Sequence, residues 1–170
     1  MRNKSYSAIL ILLSLMVVST GCEKEARDYE TEIKKVIDDS FGWALTKDRN
    51  LFEGLFAKDE SFFTYYPDSK NTVEGWSNFE KFLDNWMDPR SKTFAYEIRD
   101  LKLNISCNGD VAWFSAVVDD NGEWDDQPWS AEDIRWTGVL EKRNGHWLVV
   151  QQHMSEASDK VIERITEISE

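Results

Sequence analysis

The side chains best suited to bind a ligand lie in a β-hairpin that the sequence predicts near its C-terminal end. An Asn-Gly pair at 144–145 is a two-residue turn signal, because both residues tolerate positive φ. With that turn, Trp136 faces His153 across the two strands. Gly138 faces Gln151 on the same side of the sheet. The amide and the imidazole offer hydrogen bonds, and the glycine leaves room, so this face is predicted to form a pocket wall.

His153 is the first candidate for a functional residue, and the sequence leaves two interpretations open. An imidazole titrates near neutral pH, so it can contact a ligand or act as a general base. Alternatively, His153 packs on Trp136, and Ser155 or backbone groups satisfy its nitrogens. Trp43 is a further candidate for the pocket wall, with core packing as its alternative.

Motifs of metal and nucleophilic catalysis are missing from the sequence. The chain has two His and two Cys, and it contains no HExxH, no CxxC and no Gly-x-Ser-x-Gly. We therefore expect neither a metal nor a cofactor. The acidic run 119–126 lacks the residue order of a calcium loop and is predicted to be a solvated loop. Because Asp and Glu number 32, no single acid is distinguished as a catalytic base.

The elements that must position these residues begin with helices. Apolar residues recur at three- and four-residue steps from Tyr29 to Ala44, which predicts one long helix with an apolar stripe. A short second helix is predicted after Asp48, and a strand over residues 62–66. A third helix begins near Trp76 and ends before Pro89.

The second half of the sequence has the two-residue period of long strands. Apolar residues alternate over 94–98 and again over 101–105, but with opposite parity. This mismatch predicts a β-bulge near Arg99-Asp100. Asn108-Gly109 predicts another hairpin, and Asn121-Gly122 predicts a longer turn.

Helices followed by a bent antiparallel meander predict an α+β domain whose sheet curves around the helices. The stretch 135–155, RWTGVLEKRNGHWLVVQQHMS, resembles the last hairpin of SnoaL-like domains in the nuclear transport factor 2-like superfamily. The segment 43–48, WALTKD, is similar to their early helices. The similarity extends over about residues 26–157. It implies a cone-shaped fold, with N-terminal helices packed against a strongly curved antiparallel sheet and a pocket between them.

This resemblance implies two functions for the pocket. The first is binding of a small apolar or aromatic ligand without assured catalysis, with a pocket wall that includes Trp43, Trp136, Gln151 and His153. The second is a cofactor-free cyclase, isomerase or dehydratase that acts on a small apolar substrate, with His153 or a nearby carboxylate as base. An acid within reach of His153 inside a closed pocket would favour the enzyme.

Residues 1–21 have the layout of a secretory signal peptide. Arg2 and Lys4 precede an apolar run over 8–18, which as a helix would reach roughly 16 Å against a hydrocarbon core of about 30 Å. The ending at Gly21-Cys22 resembles a bacterial lipobox, although Ser19 departs from the usual larger apolar residue. An ordinary cleaved signal is the alternative.

Acylation of Cys22 would make the protein a lipoprotein of the bacterial cell envelope, facing the periplasm or the cell surface. Residues 22–28 would form a tether, and 29–170 the domain, which ends in a short predicted helix. Cys107 would then have no cysteine partner within the chain.

The surface charge and the sheet faces bear on partners. The net charge of −12 argues against nucleic acid as a partner. The predicted sheet face opposite His153 carries Val139, Leu148, Val150 and Met154, and a twofold homodimer would cover it. The alternative is that this face packs on the first helix, which would place His153 at the interface.

Overall fold

The computed structural model describes residues 29–68 and 72–157. The predicted signal peptide, Cys22, the tether and the C-terminal helix lie outside these residues. Within them, no helix is both long and apolar enough to cross a membrane. The elements are α1 over residues 29–46, α2 Arg49–Leu55, β1 Phe63–Tyr65, β2 Val73–Glu74, α3 Trp76–Met87, β3 Ser91–Ile105, β4 Val111–Trp124, β5 Gln127–Arg143 and β6 His146–Ser155.

The strands form one six-stranded sheet in the order β2-β1-β6-β5-β4-β3. Neighbouring strands are antiparallel except β1 and β6, which pair in parallel. The helices pack on the inner face of the curved sheet, and the core lies between them. The predicted α+β class, with N-terminal helices against a curved antiparallel sheet, is confirmed, and the parallel pair is an addition to it.

The helices follow the predicted apolar spacing. Ile33 and Ile37 of α1 are fully buried, and Phe41, one turn further on, meets the ring of Trp136 edge-on at 5.1 Å between centroids. The α2 helix begins after Asp48, as predicted, and the Asp48 carboxylate caps it by accepting a hydrogen bond from the backbone N–H of Leu51 at 3.0 Å. The three helices predicted before residue 89 are therefore confirmed.

Two β-bulges bend the sheet, one in β3 and one in β5, and both lie beside the middle of β4. The register of β3 against β4 shifts between Arg99 and Lys102, where Asp100 has a φ of 53°. The predicted bulge is therefore confirmed. The register of β5 against β4 shifts opposite residues 118–120, where Asp133 has a φ of 57°. Such bulges increase the local twist, which curves the strands around the helices.

The three turns that the sequence predicts have different outcomes in the structure. Asn144-Gly145 is a two-residue turn with φ values of 52° and 84°, as predicted. Asn108-Gly109 lies in a hairpin whose loop is longer and closes between Ser106 and Val111. The turn predicted at Asn121-Gly122 is wrong, since both residues lie inside β4 and the chain reverses at Asp125-Asp126. Gly122 is a strand residue there because backbone and an aromatic ring pack directly against it.

Candidate functional site

A cavity of about 230 Å³ opens between the helices and the inner face of the sheet. An apolar cavity of about 150 Å³ can hold benzene, so this one accommodates a single substituted ring. Its aromatic wall includes Trp43, Phe52, Tyr66, Phe79, Trp86 and Trp129. Its polar wall comprises Ser40, Lys47, Ser91, Thr93, Asp120 and Gln152.

Three helices supply most of the aromatic wall, and their rings pack against one another. Trp43 of α1 packs edge-on against Phe52 of α2, with 4.7 Å between ring centroids. Trp86 of α3 lies 5.9 Å from Trp43 and 6.0 Å from Phe52. Because Trp43, Phe52 and Trp86 each contact rings from other helices, this part of the wall is held in place by its own packing.

Asp120 brings a carboxylate into this aromatic cavity. It follows Val118 and precedes Gly122 on the inward-facing positions of β4, and both of these neighbours are buried. Its Oδ1 atom is buried and has no hydrogen-bond partner within the described residues. Burial raises the pKa of Asp120 to about 6, against a hydrogen bond from the backbone of Asn121 that lowers it. An unpaired buried acceptor costs about 1–3 kcal/mol, so this oxygen is suited to a donor on a ligand.

An ion-pair network fixes the strand immediately before Asp120. Arg99 of β3 donates from Nη2 to Asp119 at 2.7 Å and to Asp133 of β5 at 2.8 Å. The backbone N–H of Asp133 also donates to Asp119, at 2.7 Å. This backbone hydrogen bond, followed by the one from Arg99, lowers the pKa of Asp119. Three strands are thus tied together at the two bulges, one residue away from the cavity carboxylate.

Gln152 of β6 presents an amide to the cavity. Its Oε1 accepts a hydrogen bond from the buried indole Nε1 of Trp136 at 3.1 Å. Trp136 itself is fully buried between Phe41 and Phe114, whose centroids lie at 5.1 and 4.6 Å. Because the carbonyl oxygen is engaged by the indole, the NH₂ group of Gln152 is the part left for a ligand.

Lys47 and Tyr66 complete the titratable part of the wall. The ammonium of Lys47 donates to the carbonyl oxygens of Trp86 at 3.0 Å and Asp88 at 2.5 Å, so it caps the end of α3. Burial lowers the pKa of Lys47, opposed by the charge of Asp88. Burial also raises the pKa of Tyr66 well above its usual value, which keeps the phenol neutral.

The sequence profile of the SnoaL-like domain matches residues 33–159. The chain belongs to the SnoaL-like family. No curated protein matches the chain. The family assignment agrees with the fold, in which helices cover the inner face of a curved sheet.

Solved structures share the fold of this SnoaL-like domain. A nuclear transport factor 2-like protein from Salmonella enterica serovar Typhimurium has a TM-score of 0.66 and 20% identity, over 77% of this chain and 92% of its own. A Novosphingobium aromaticivorans protein, provisionally called a scytalone dehydratase, has a TM-score of 0.67 and 12% identity, over 78% and 86%. A Streptomyces avermitilis protein, provisionally called a dehydratase, has a TM-score of 0.65 and 11% identity, over 78% and 97%. Identities this low show the fold alone.

The predicted register of the last hairpin is correct only near its turn. The four pairs next to the turn are confirmed. Beyond them Val150 is an extra residue on β6, so Trp136 faces Met154, and Gly138 faces Gln152. Beyond this bulge, each residue of β6 lies on the face of the sheet opposite to the one predicted.

The SnoaL-like domain therefore brings only part of the predicted site together. Trp43 lines the cavity, and Trp136 supports it through Gln152. Gln151 and His153 lie on the outer face of the sheet, where His153 is exposed with the Tyr65 ring 6.0 Å away. Neither the packing of His153 on Trp136 nor its position in the cavity wall is found.

Sequence reasoning missed Asp120 and Gln152. The acidic run 119–126 that contains Asp120 is predicted to be a solvated loop, and a turn is predicted at Asn121-Gly122 within it. The alternation of Phe114, Ala116 and Val118 was the available signal, since it continues inward through Asp120. No cluster of three or more His, Cys, Asp or Glu suited to a metal ion occurs in residues 29–68 and 72–157.

Proposed function

We propose that this SnoaL-like domain binds a small apolar or aromatic molecule in the cavity, with Asp120 as its main polar contact. The observation that carries the proposal is the buried, unpartnered Oδ1 of Asp120 within an aromatic wall. Binding sites combine apolar walls with a few fixed polar groups. Asp120 and the NH₂ group of Gln152 supply an acceptor and a donor, so they would fix the orientation of the ligand.

A second candidate function is proton transfer without a cofactor. The raised pKa of Asp120, about 6, lies near working pH, where a carboxylate is an effective general base. An isomerase, cyclase or dehydratase acting on a small apolar substrate would use Asp120 in that role. Two structural neighbours are provisionally called dehydratases, which is consistent with this alternative.

Binding can be tested with a panel of single-ring fragments, namely phenols, anilines, benzylamines and cyclic ketones. Trp43, Trp86 and Trp129 line the cavity, so their fluorescence reports occupancy. We expect at least one class to bind, and Asp120→Asn to weaken it about tenfold, which corresponds to the loss of a charge-assisted hydrogen bond. His153→Ala is the matched control on the outer face and should leave binding unchanged. Equal affinity in the Asp120 variant would contradict the proposal.

We further propose that the protein is held at the bacterial cell envelope by lipid on Cys22. The support is the signal-peptide layout of residues 1–21 and the lipobox-like Gly21-Cys22 ending. Cys22→Ala should move the protein from the membrane fraction to the soluble fraction. Cys107→Ala, the other cysteine, should stay with the membrane. If the Cys22 variant remains membrane-bound after a high-salt wash, the anchor is elsewhere.

A further inference from the structure

The charge inside the cavity is unbalanced. Three titratable side chains line it among the described residues: Lys47, Tyr66 and Asp120. Lys47 directs its ammonium to the carbonyl oxygens of Trp86 and Asp88, and Tyr66 is neutral. A carboxyl with a pKa of about 6 is about nine-tenths ionised at pH 7. The cavity therefore holds a negative charge that no cation among the described residues pairs.

The rings around this carboxylate favour positive charge as well. Trp43, Trp86, Trp129 and Tyr66 line the same cavity as Asp120. Aromatic faces attract organic cations, most strongly those of Trp, and the attraction grows when the cation is desolvated. Trp129 lines the cavity and is 36% exposed, so its ring is accessible to a cation from solvent.

Other ligand charges fit this cavity less well. An anion would be repelled by Asp120 and by a chain with a net charge of −12, which instead concentrates cations around the protein. A neutral hydroxyl could donate to Oδ1, but it would leave the buried charge uncompensated. A protonated amine satisfies both the unpaired oxygen and the charge, and a quaternary ammonium group compensates the charge.

We propose that the ligand is a small organic cation, an amine or quaternary ammonium compound with an apolar body, held by Asp120 and the cavity tryptophans. This proposal rests on the proposed binding function and names its ligand class. The cavity volume of about 230 Å³ suits a molecule of this size. Lys47 does not serve as the counter-charge of Asp120, because its ammonium already donates to carbonyl oxygens at the end of α3.

The test compares cations with a neutral isostere in the intact protein. Choline and 3,3-dimethyl-1-butanol have nearly the same shape, but only choline is charged. By titration calorimetry at pH 7.5, choline should bind about tenfold more tightly than the alcohol. Asp120→Asn should abolish this preference, and pH 5 should reduce it because Asp120 takes up a proton. Tetramethylammonium and benzyltrimethylammonium extend the series to smaller and larger bodies.

Two tryptophan variants separate recognition from folding. Trp129→Leu should weaken choline binding severalfold, since it removes a cavity ring. Trp124→Leu removes an exposed tryptophan outside the cavity wall and should have no effect. Equal binding of choline and the alcohol, both dependent on Asp120, would overturn the cation proposal and leave the binding function standing. Binding of neutral fragments with none of the three cations would also overturn it. Failure of every probe would remove the binding function itself.

Discussion

Asp119 and Asp120 are adjacent on β4, yet their pKa values are shifted in opposite directions. The backbone N–H of Asp133 and the guanidinium of Arg99 lower the pKa of Asp119. Burial in the cavity wall raises the pKa of Asp120 to about 6. The alternation of a strand sends one carboxylate into an ion-pair network and its neighbour into an aromatic cavity. The two residues therefore make opposite contributions to stability.

The first prediction concerns stability and pH. The folded-state pKa of Asp120 is about 6, above an unfolded value of about 4, so the folded protein binds this proton more tightly. The resulting stabilisation is complete below about pH 4 and is lost as pH rises through 6. The loss should amount to about 1–2 kcal/mol, because the partly solvated carboxylate realises less than the full shift. Asp120→Asn should therefore be more stable than the native protein at pH 7.

Urea unfolding from pH 4 to 7 measures this difference. The gap between Asp120→Asn and the native protein should widen in favour of the variant as pH rises. Asp119→Asn is the matched control with the opposite sign. Its lowered pKa stabilises the folded protein at neutral pH, so this variant should be the less stable one there. A constant gap for Asp120→Asn across the pH range would show that its carboxyl titrates normally.

The second prediction is that Arg99 positions Asp120. Arg99 ties Asp119 to Asp133 at the bend, and its loss should loosen β4 next to the cavity. Water would then reach the Asp120 carboxylate, and its pKa should fall from about 6 towards the ordinary value. Arg99→Met should show this shift when the Asp120 carboxyl is followed by NMR titration.

Arg49 provides a matched control for Arg99. It also pairs with two acids, Glu53 and Asp84, but on helices α2 and α3 and without a bulge. Arg49→Met should leave the Asp120 titration unchanged. If both variants leave the titration of Asp120 unchanged, the network around Arg99 stabilises the bend of the sheet and does not position Asp120.

Much of the fold was predictable because local patterns were unambiguous. Ile33 and Ile37 recur at helical spacing, and the parity change between residues 94–98 and 101–105 located the bulge at Asp100. The bulge at Val150 had no such signal. Three apolar residues precede it and two glutamines follow, so the sequence fits either register.

The candidate site was less predictable because it depends on those registers. The extra residue at Val150 places His153 on the outer face of the sheet and Gln152 on the inner face. Gly138 was expected to leave room for a ligand, but the Phe114 ring occupies that room, since a Cβ at Gly138 would lie 2.5 Å from its Cε1. Asp120 was hidden by an adjacent Asn-Gly pair whose glycine is required by packing rather than by a turn.

The third prediction tests the hydrogen bond between Gln152 and Trp136. Gln152→Leu removes the acceptor and leaves the indole N–H of Trp136 buried without a partner. The free energy of unfolding should fall by about 1–3 kcal/mol. Gln151→Leu, one residue away on the outer face, should change it by less than about 0.5 kcal/mol. Equal effects in urea unfolding would show that the buried hydrogen bond does not account for the loss.

The fourth prediction is that two copies pair through the outer face of the sheet. The bulge at Val150 alters the face that the sequence suggested, because it moves Met154 to the cavity wall. The outer face instead carries a row across four strands, formed by Trp113, Val139, Gln151 and Phe63.

Exposure along this row supports the pairing. Trp113 and Phe63 are 47% and 36% exposed, and Tyr65, on the same strand as Phe63, is 44% exposed. Such apolar surface is costly to leave in water, and a twofold axis would place each row against its copy.

Substitution of Trp113 separates an interface from ordinary surface. Trp113→Glu should convert the dimer to a folded monomer, because a charge would be buried at the centre of the shared face. Trp124→Glu changes a comparably exposed tryptophan at the far end of β4 and should leave the dimer intact. Since each copy carries a net charge of −12, the dimer should tighten as salt screens the repulsion between copies. Sedimentation that reports only monomer for the native protein at tens of micromolar, at low and high salt alike, would contradict the pairing.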